Sequence, residues 1–372
     1  VAAVNAGHEP LEAAREVVAA FAIDGPVASV APLGGGHIND TFLVAAAGAE
    51  RASRVVLQRI NATVFADPDA VMANVERVCG HVQARLEAEG RSDADRRCLS
   101  LVPTRAGRGW HVDAAGGRWR CYRFIPGATA RDVATTPRQA FEAAAAFGRF
   151  QALLADLPGG RLVETIPHFH DTPRRFADFR AVLAQDPHGR AAGARREIDF
   201  ALAREAGAGL VVDATARGEI PERISHNDAK FANVLLDDVS GAGLCVIDLD
   251  TVMPGSPLYD FGDLARTCAA TAAEDEPDLD RMGVSPEMFA ALAAGFRGAT
   301  AGTLTPRERE LLPAAARLIT LEQGVRFLGD WLAGDVYYRI ARPAHNLERA
   351  RAQFRLVAAW EAELPETRDS IN

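Results

Sequence analysis

The chain has 372 residues, of which 48% are hydrophobic and 24% charged, and its formal net charge is −9. That balance is ordinary for a globular protein and excludes a disordered, collagen-like or fibrous chain, with room for about two or three domains. No apolar stretch approaches the ~18 residues that a membrane span needs, and the acidic balance argues against nonspecific nucleic-acid binding, which requires a basic face. The opening VAAVNAGHEP has no basic n-region and no long apolar h-region, so no signal peptide is expected. The five cysteines are odd in number and lack a C-x-x-C pair, so neither a disulfide framework nor a structural zinc site is expected, and a reducing cytoplasm fits best.

Taken in order, residues 10–23 place Leu11, Val18, Phe21 and Ala22 on one helical stripe, with Pro10 at its start and Gly25 past its end. PLGGGHINDTFLV (residues 32–44) predicts strand, tight turn and strand, and RVVLQRI (54–60) a further β-branched run. Val71, Val75, Val78 and Val82 predict a helix around 68–87. Short strands are expected within 100–125, broken by RAGRG and DAAGG and ending at Pro126-Gly127. Beyond that point, 137–157 and most of 174–220 have the pattern of Ala-rich amphipathic helix, 243–249 of a buried strand, and the chain from about 284 of helix again. The expectation is a small strand-rich N-terminal lobe (1–125) and a larger, mostly helical C-terminal lobe (126–372), an α+β chain. Cofactor clefts commonly form between such lobes.

The segment ISHNDAKFANVLLDDVSGAGLCVIDLD (224–250) carries the chemistry. Phosphoryl transfer needs an Asp to accept or orient the proton of the attacking hydroxyl, a cation for the transferring group, and oxygen ligands for Mg²⁺. Asp228, Lys230, Asn233 and Asp248 supply that set in the order kinases use, and the Asp-to-Asn separation matches H-R-D-x-x-x-x-N. Of the 41 basic residues only Lys230 is lysine. Codon bias explains why the others are arginine but not where the lysine remains. Random placement would put it here about one time in 41. A compact ammonium and a planar guanidinium are not interchangeable against phosphate. A lone Asp after Asn is commonly a cap or turn residue; the later V-I-D-L-D makes the combined pattern specific. His226 is assigned to loop shaping.

The segment resembles the catalytic loop of the aminoglycoside phosphotransferase and choline kinase superfamily, which has a protein-kinase-like two-lobe fold. More narrowly, H-N-D-x-K-x-x-N-V-L-L-D, C-V-I-D-L-D-T-V-M-P-G and Y-D-F-G-D-x-x-R resemble bacterial N-acetylhexosamine 1-kinases. So do G-H-I-N-D-T-F, L-Q-R-I-N, F-H-D-T (169–172), R-F-L-G-D-W-L-A-G-D-V-Y-Y and H-N-L-E-R-A-R. The resemblance implies ATP and Mg²⁺ as cofactors, Asp228 as base, Lys230 facing the γ-phosphate, and Asn233 and Asp248 as metal ligands. Gly34, Gly35 and Gly36 would lie over the phosphates or edge the sugar site, although a plain hairpin turn is equally compatible with them. Kinases place a lysine on an N-lobe strand, which this chain lacks. Gln58 or Arg59 would serve instead, alternation lets only one face the cleft, and charge favours Arg59. RWRCYRFI, with Tyr122 and Phe124, would be the hinge strand offering backbone groups to adenine. Asp260, Asp263 and Arg266 are expected to brace the catalytic loop.

For the acceptor, Glu322, Arg326 and Asp330 at i, i+4 and i+8 are expected to share a helix face with Trp331 beside them. A solvated ion-pair ladder is the competing interpretation. His37 and Asn39 would reach the sugar from the glycine turn, or else belong to a capped turn. His168-x-His170 lacks a third ligand nearby and is assigned a structural role rather than metal. The leading expectation is a cytoplasmic ATP/Mg²⁺-dependent kinase that phosphorylates the anomeric hydroxyl of a small-molecule sugar, an N-acetylhexosamine or a related one, by direct in-line transfer, with no nucleic-acid, membrane or obligate protein partner. A kinase for another alcohol and a non-catalytic pseudokinase scaffold are the alternatives.

Overall fold

The computed structural model describes residues 9–34, 38–47 and 53–364. The fold is α+β, with a strand-rich N-terminal sheet and a helical C-terminal region. The chain divides into two compact units. The first takes the stretch up to Ala128 together with Asp156–Pro167 and Leu244–Met253; the second takes Thr129–Ala155, His168–Gly243 and the chain from Pro254 onward.

In the first unit, helix α1 (Glu9–Val17) leads to strands β1 (Val27–Pro32), β2 (Asp40–Ala46) and β3 (Ser53–Arg59). Helix α2 (Pro68–Ala88) follows, then β4 (Trp110–Val112) and β5 (Arg118–Arg123). The sheet runs β1-β2-β3-β5-β4, antiparallel throughout. Because strand side chains alternate, its two faces differ. Phe42, Val44, Val55, Leu57, Trp119 and Cys121 form one buried core with Val17, Val18 and Phe21 of the N-terminal helical segment. Thr41, Gln58 and Arg120 stand in register on the opposite face. Helix α2 starts with Asp67 accepting from the Ala70 N–H and Pro68 at the first helical position, a standard way to satisfy orphan donors. Its buried Asn74 binds Val163 through both amide atoms and also reaches Val252 O, which ties the unit's three chain segments together.

The second unit contains α3 (Pro137–Leu154), α4 (Thr172–Gln185), α5 (Arg195–Leu202), α6 (Leu210–Ala216), α7 (Pro257–Cys268), α8 (Pro286–Ala299), α9 (Pro306–Leu332) and α10 (His345–Glu363). Helix α9 packs on α10 and α7, and α3 packs on α8. The core between α4, α5, α9 and α10 is built from Phe176, Phe179, Ile198, Val325, Leu328 and Phe354. Thr305 and Glu308 form a capping box at the start of α9. Glu308 also pairs with Arg223 at 2.7 Å, which anchors the helix to the strand before the candidate loop. All five cysteines are free and buried. Among the described residues no helix is long and apolar enough to cross a membrane.

The alanine-rich sequence of α3 has a packing purpose. A Cβ on Gly295 of α8 would collide with the backbone carbonyl of Phe141, and one on Gly148 would meet Ala299. Small residues therefore let the two backbones approach closely. Gly295→Val forces backbone movement and is expected to cost about 1–3 kcal/mol through overpacking. Urea unfolding with an unchanged midpoint would contradict this packing.

Candidate active site

The short strand Arg223–Ser225 leads into a loop whose backbone is held residue by residue. Asn227 adopts a left-handed conformation (φ 65°), which Asn tolerates better than most side chains. The buried Asp260 of α7 accepts the N–H groups of His226 (3.0 Å) and Asn227 (2.8 Å). Burial pushes the Asp260 carboxyl upward, only partly offset by His226, those two amides and Gln151. His226 is buried edge-on to Phe147 (5.2 Å), and its Nδ1 accepts the Asp228 N–H at 3.3 Å. Ala229 and Phe231 are buried, pinning the loop on both sides of Lys230. The one-turn helix Phe231–Asn233 then leads to the strand Val234–Asp237.

This folding brings three of the expected residues together. The Lys230 ammonium lies 2.6 Å from Asp228 Oδ1. Asn233 Nδ2 donates to the Asp228 carbonyl (2.8 Å) and lies 3.3 Å from its Oδ2. Asp228 is mostly enclosed, at 20% side-chain exposure, whereas Lys230 is open at 45%. Burial alone would raise the Asp228 carboxyl, but Lys230, with His226 and Arg266 behind it, outweighs that and holds it below the usual carboxylate range. Burial opposes the Lys230 charge, yet Asp228 and Asp263 push its pKa upward. The half-open ammonium is screened by water, so the pair sets charge state and geometry more than stability. Of the expected braces, Asp260 holds the loop directly, while Asp263 and Arg266 bind one another at 2.7 Å, with Arg266 continuing to Glu274.

The fourth expected residue, Asp248, belongs to the first unit and also has a left-handed backbone (φ 62°). Two residues on, Asp250 is an organising centre. Its carboxylate binds Arg120 and accepts from Asn39 Nδ2 at 2.6 Å, and its carbonyl accepts from Thr165 at 2.8 Å. Arg120 Nε reaches Gln58 Oε1 at 3.0 Å, and Gln58 Nε2 reaches Thr41 at 3.1 Å. Burial acts against the Arg120 charge, but Asp250, Tyr122 and Asp248 more than compensate.

Several expectations need correction here. Arg59 lies on the other sheet face, near the Trp119 ring, so the choice of Arg59 over Gln58 fails on strand register. The fully buried cation on the Gln58 face is Arg120, for which the sequence carried no expectation although R-W-R-C-Y-R alternates basic and aromatic residues. The Phe124 N–H donates to Arg54 O (3.2 Å), and Tyr122 is buried between Val56 of β3 and a bridge to Leu101, so these groups are engaged within the first unit. Asn39 uses Nδ2 on Asp250 and Oδ1 on the Asn61 N–H, a bracing role rather than sugar contact. Gly34 takes φ +71° in the turn between β1 and β2, while Gly35, Gly36 and His37 lie outside the described residues.

On α9 the proposed common face separates. Glu322 is buried against His170 and Thr172. Asp330 accepts the N–H groups of Val336, Tyr337 and Tyr338 and the side chain of Asn346, so its oxygens hold the following loop and are not open to substrate. Trp331 is a core residue. Arg326 alone is presented: its guanidinium lies 5.2 Å from the Phe169 ring and 5.7 Å from Tyr338, and donates to Gln323 at 3.2 Å. Phe169 and Tyr338 were both inside motifs singled out from the sequence, but neither had been given a role.

A site built on an H-N-D-x-K-x-x-N loop within this α+β fold defines a phosphotransferase. The chain belongs to the phosphotransferase enzyme family (APH), whose pattern matches residues 29–294. Its fold is similar to that of an aminoglycoside phosphotransferase from Alicyclobacillus acidocaldarius, with TM-score 0.58, 13% identity, and 94% of this chain and 95% of that one covered. It is also similar to a microcompartment-associated aminopropanol kinase, with TM-score 0.56, 20% identity, and 95% and 97% covered. A third similar structure is the GDP complex of aminoglycoside 2'-phosphotransferase-IIIa, with TM-score 0.54, 14% identity, and 93% and 98% covered.

The buried Asp250–Arg120 pair provides a test of the first unit. Asp250→Ala strands a fully buried guanidinium and is expected to cost about 3–5 kcal/mol. Asp250→Leu combined with Arg120→Met removes both charges and should recover much of that loss in urea unfolding. Equal instability of the single and double variants would contradict the pairing.

Proposed function

We propose that the protein transfers the γ-phosphoryl group of ATP to the anomeric hydroxyl of an N-acetylhexosamine or a related neutral sugar. The observation that carries the chemistry is Asp228, ionised and held between Lys230 and Asn233. A carboxylate has about four lone-pair sites, so one oxygen can receive a hydroxyl proton while the other keeps its ammonium partner. The anomeric hydroxyl is more acidic than other sugar hydroxyls and suits a carboxylate whose pKa is low. The acceptor oxygen forms its bond to phosphorus as the β,γ-bridging bond breaks in line; the proton passes to Asp228 and ADP leaves. Lys230 supplies positive charge for the transferring group.

Asn233 and Asp248 are each side chains with hard oxygen donors of the kind Mg²⁺ takes, and the Asn233 nitrogen is engaged with Asp228, which leaves its oxygen for another partner. When bound, the ion neutralises charge between the nucleotide phosphates. ATP is proposed as the donor in keeping with the ADP and AMP complexes of a spectinomycin phosphotransferase of similar fold, beside the GDP complex noted above.

For the acceptor, the supporting observation is Arg326. Among the described residues no carboxylate pairs with it, and two aromatic rings flank it. Its guanidinium can donate to hydroxyl and acetamide oxygens, and Phe169 and Tyr338 add apolar surface beside them. The same positive charge disfavours aminoglycosides and amino alcohols.

ADP release should be measured with N-acetylglucosamine, N-acetylgalactosamine, glucose, an aminoglycoside and choline. Turnover is expected with an N-acetylhexosamine, giving an acid-labile sugar phosphate. Asp228→Asn is expected to lower kcat by about 10²–10⁴-fold with nucleotide binding retained. Turnover confined to the cationic acceptors, or an acid-stable product, would overturn the sugar assignment.

A further inference from the structure

The segment Phe169–Thr172 bears on the loop through His170. His170 is buried, with Tyr259 stacked on it at 4.8 Å and Phe169 edge-on at 4.8 Å. Its Nε2 lies 2.9 Å from the Asn227 carbonyl oxygen and its Nδ1 lies 2.8 Å from Glu322 Oε1. The other Glu322 oxygen accepts from the Thr172 hydroxyl at 2.6 Å.

A carbonyl oxygen can only accept, so Nε2 carries a proton and donates it. Nδ1 faces a carboxylate, so a second proton sits between ring and Glu322, and the pair is an imidazolium beside a carboxylate. The charged groups around it agree with that assignment. Burial and Arg326 oppose the His170 charge, but Glu322 and the Asn227 carbonyl prevail and raise its pKa. Burial would raise Glu322, yet His170 and Arg326 hold it down. Arg175 and Tyr259 are the other titratable groups that feel Glu322.

The Asn227 carbonyl belongs to the peptide bond that carries Asp228. The N–H of that same peptide is bound by His226. Both ends of one planar unit are thus held by imidazoles, next to a left-handed residue whose backbone has few alternatives.

We infer that His170, oriented by Glu322, is a positioning residue for the proposed phosphoryl transfer: it fixes the Asn227–Asp228 peptide and thereby the direction in which Asp228 offers its carboxylate. Glu322 lies one helical turn from Arg326 on α9, so one helix presents the candidate acceptor contact and also steadies the base. The inference rests on the kinase reading above.

The test compares His170→Ala, His170→Gln and His170→Asn in the full-length protein by ADP release. The Gln amide can donate from about the position of Nε2, whereas the shorter Asn cannot reach the carbonyl. His170→Ala is expected to lower kcat by about 10–100-fold, with both KM values within about threefold, as a misaimed group does. His170→Gln should recover most of that kcat. If the alanine variant does not fold, the Gln and Asn variants carry the comparison, with Gln expected to be faster. A folded alanine variant with wild-type kcat, or Gln no better than Asn, overturns the inference alone. Absence of turnover by the wild type with any acceptor removes the kinase reading and this inference together.

Discussion

The second unit depends on keeping a carboxylate ionised where burial opposes charge. Asp228 is mostly enclosed, and enclosure by itself would drive it toward the neutral acid. Lys230 reverses that balance at 2.6 Å. A neutral acid could donate a proton but could not receive one from an attacking hydroxyl. The proposed chemistry therefore calls for an ammonium close enough to win that engages only one of the two carboxylate oxygens. An arginine here would spread its charge over a planar fork and occupy both oxygens. On the proposed chemistry, this accounts for a lysine at this position in a chain whose other basic residues are arginine.

Around that charge the backbone is unusually constrained. Asp260 takes two consecutive N–H groups before Asp228, His226 takes the next, and His170 takes the intervening carbonyl. These contacts reach the loop from α7, from the loop itself and from the segment preceding α4. Sheet and loop are organised by a comparable device in the first unit, where Asp250 gathers Arg120, Asn39 and Thr165 two residues beyond Asp248. In both units a buried carboxylate, Asp260 or Asp250, holds the chain close to one of the candidate site aspartates, Asp228 or Asp248.

The cluster of Asp228, Lys230 and Asn233 was legible in the sequence because its geometry is local: an Asp-x-Lys-x-x-Asn spacing within one short loop brings those side chains together. Helix α2 and the strand–turn–strand pattern of β1 and β2 were legible for the same reason, through periodicity and glycine. The errors arose where the outcome depended on partners distant in sequence. Alternation correctly separated Gln58 from Arg59, but which face meets the aspartates is decided by register with β5, and charge alone pointed the wrong way. On α9, residues eight apart are rotated by about 80°, so Glu322 and Asp330 diverge even on an ideal helix. Asp330 then meets the three amides of the next loop, and Trp331 turns into the core. Arg120 and His170 lay inside quoted motifs that did not reveal their contacts, because those contacts are with buried partners 130 and 152 residues away.

The pH dependence of kcat/KM in wild type and Lys230→Met tests the central claim most directly. A lowered Asp228 pKa means the carboxylate stays charged as pH falls, and activity requiring it is lost only below the ordinary Asp range of about 3.9. The wild type should therefore show no acid limb from this group between about pH 5 and 7. Without the ammonium, burial takes over, the pKa rises, and the residual activity of Lys230→Met should fall away on the acid side of neutrality. Parallel acid limbs in the two proteins would contradict the account.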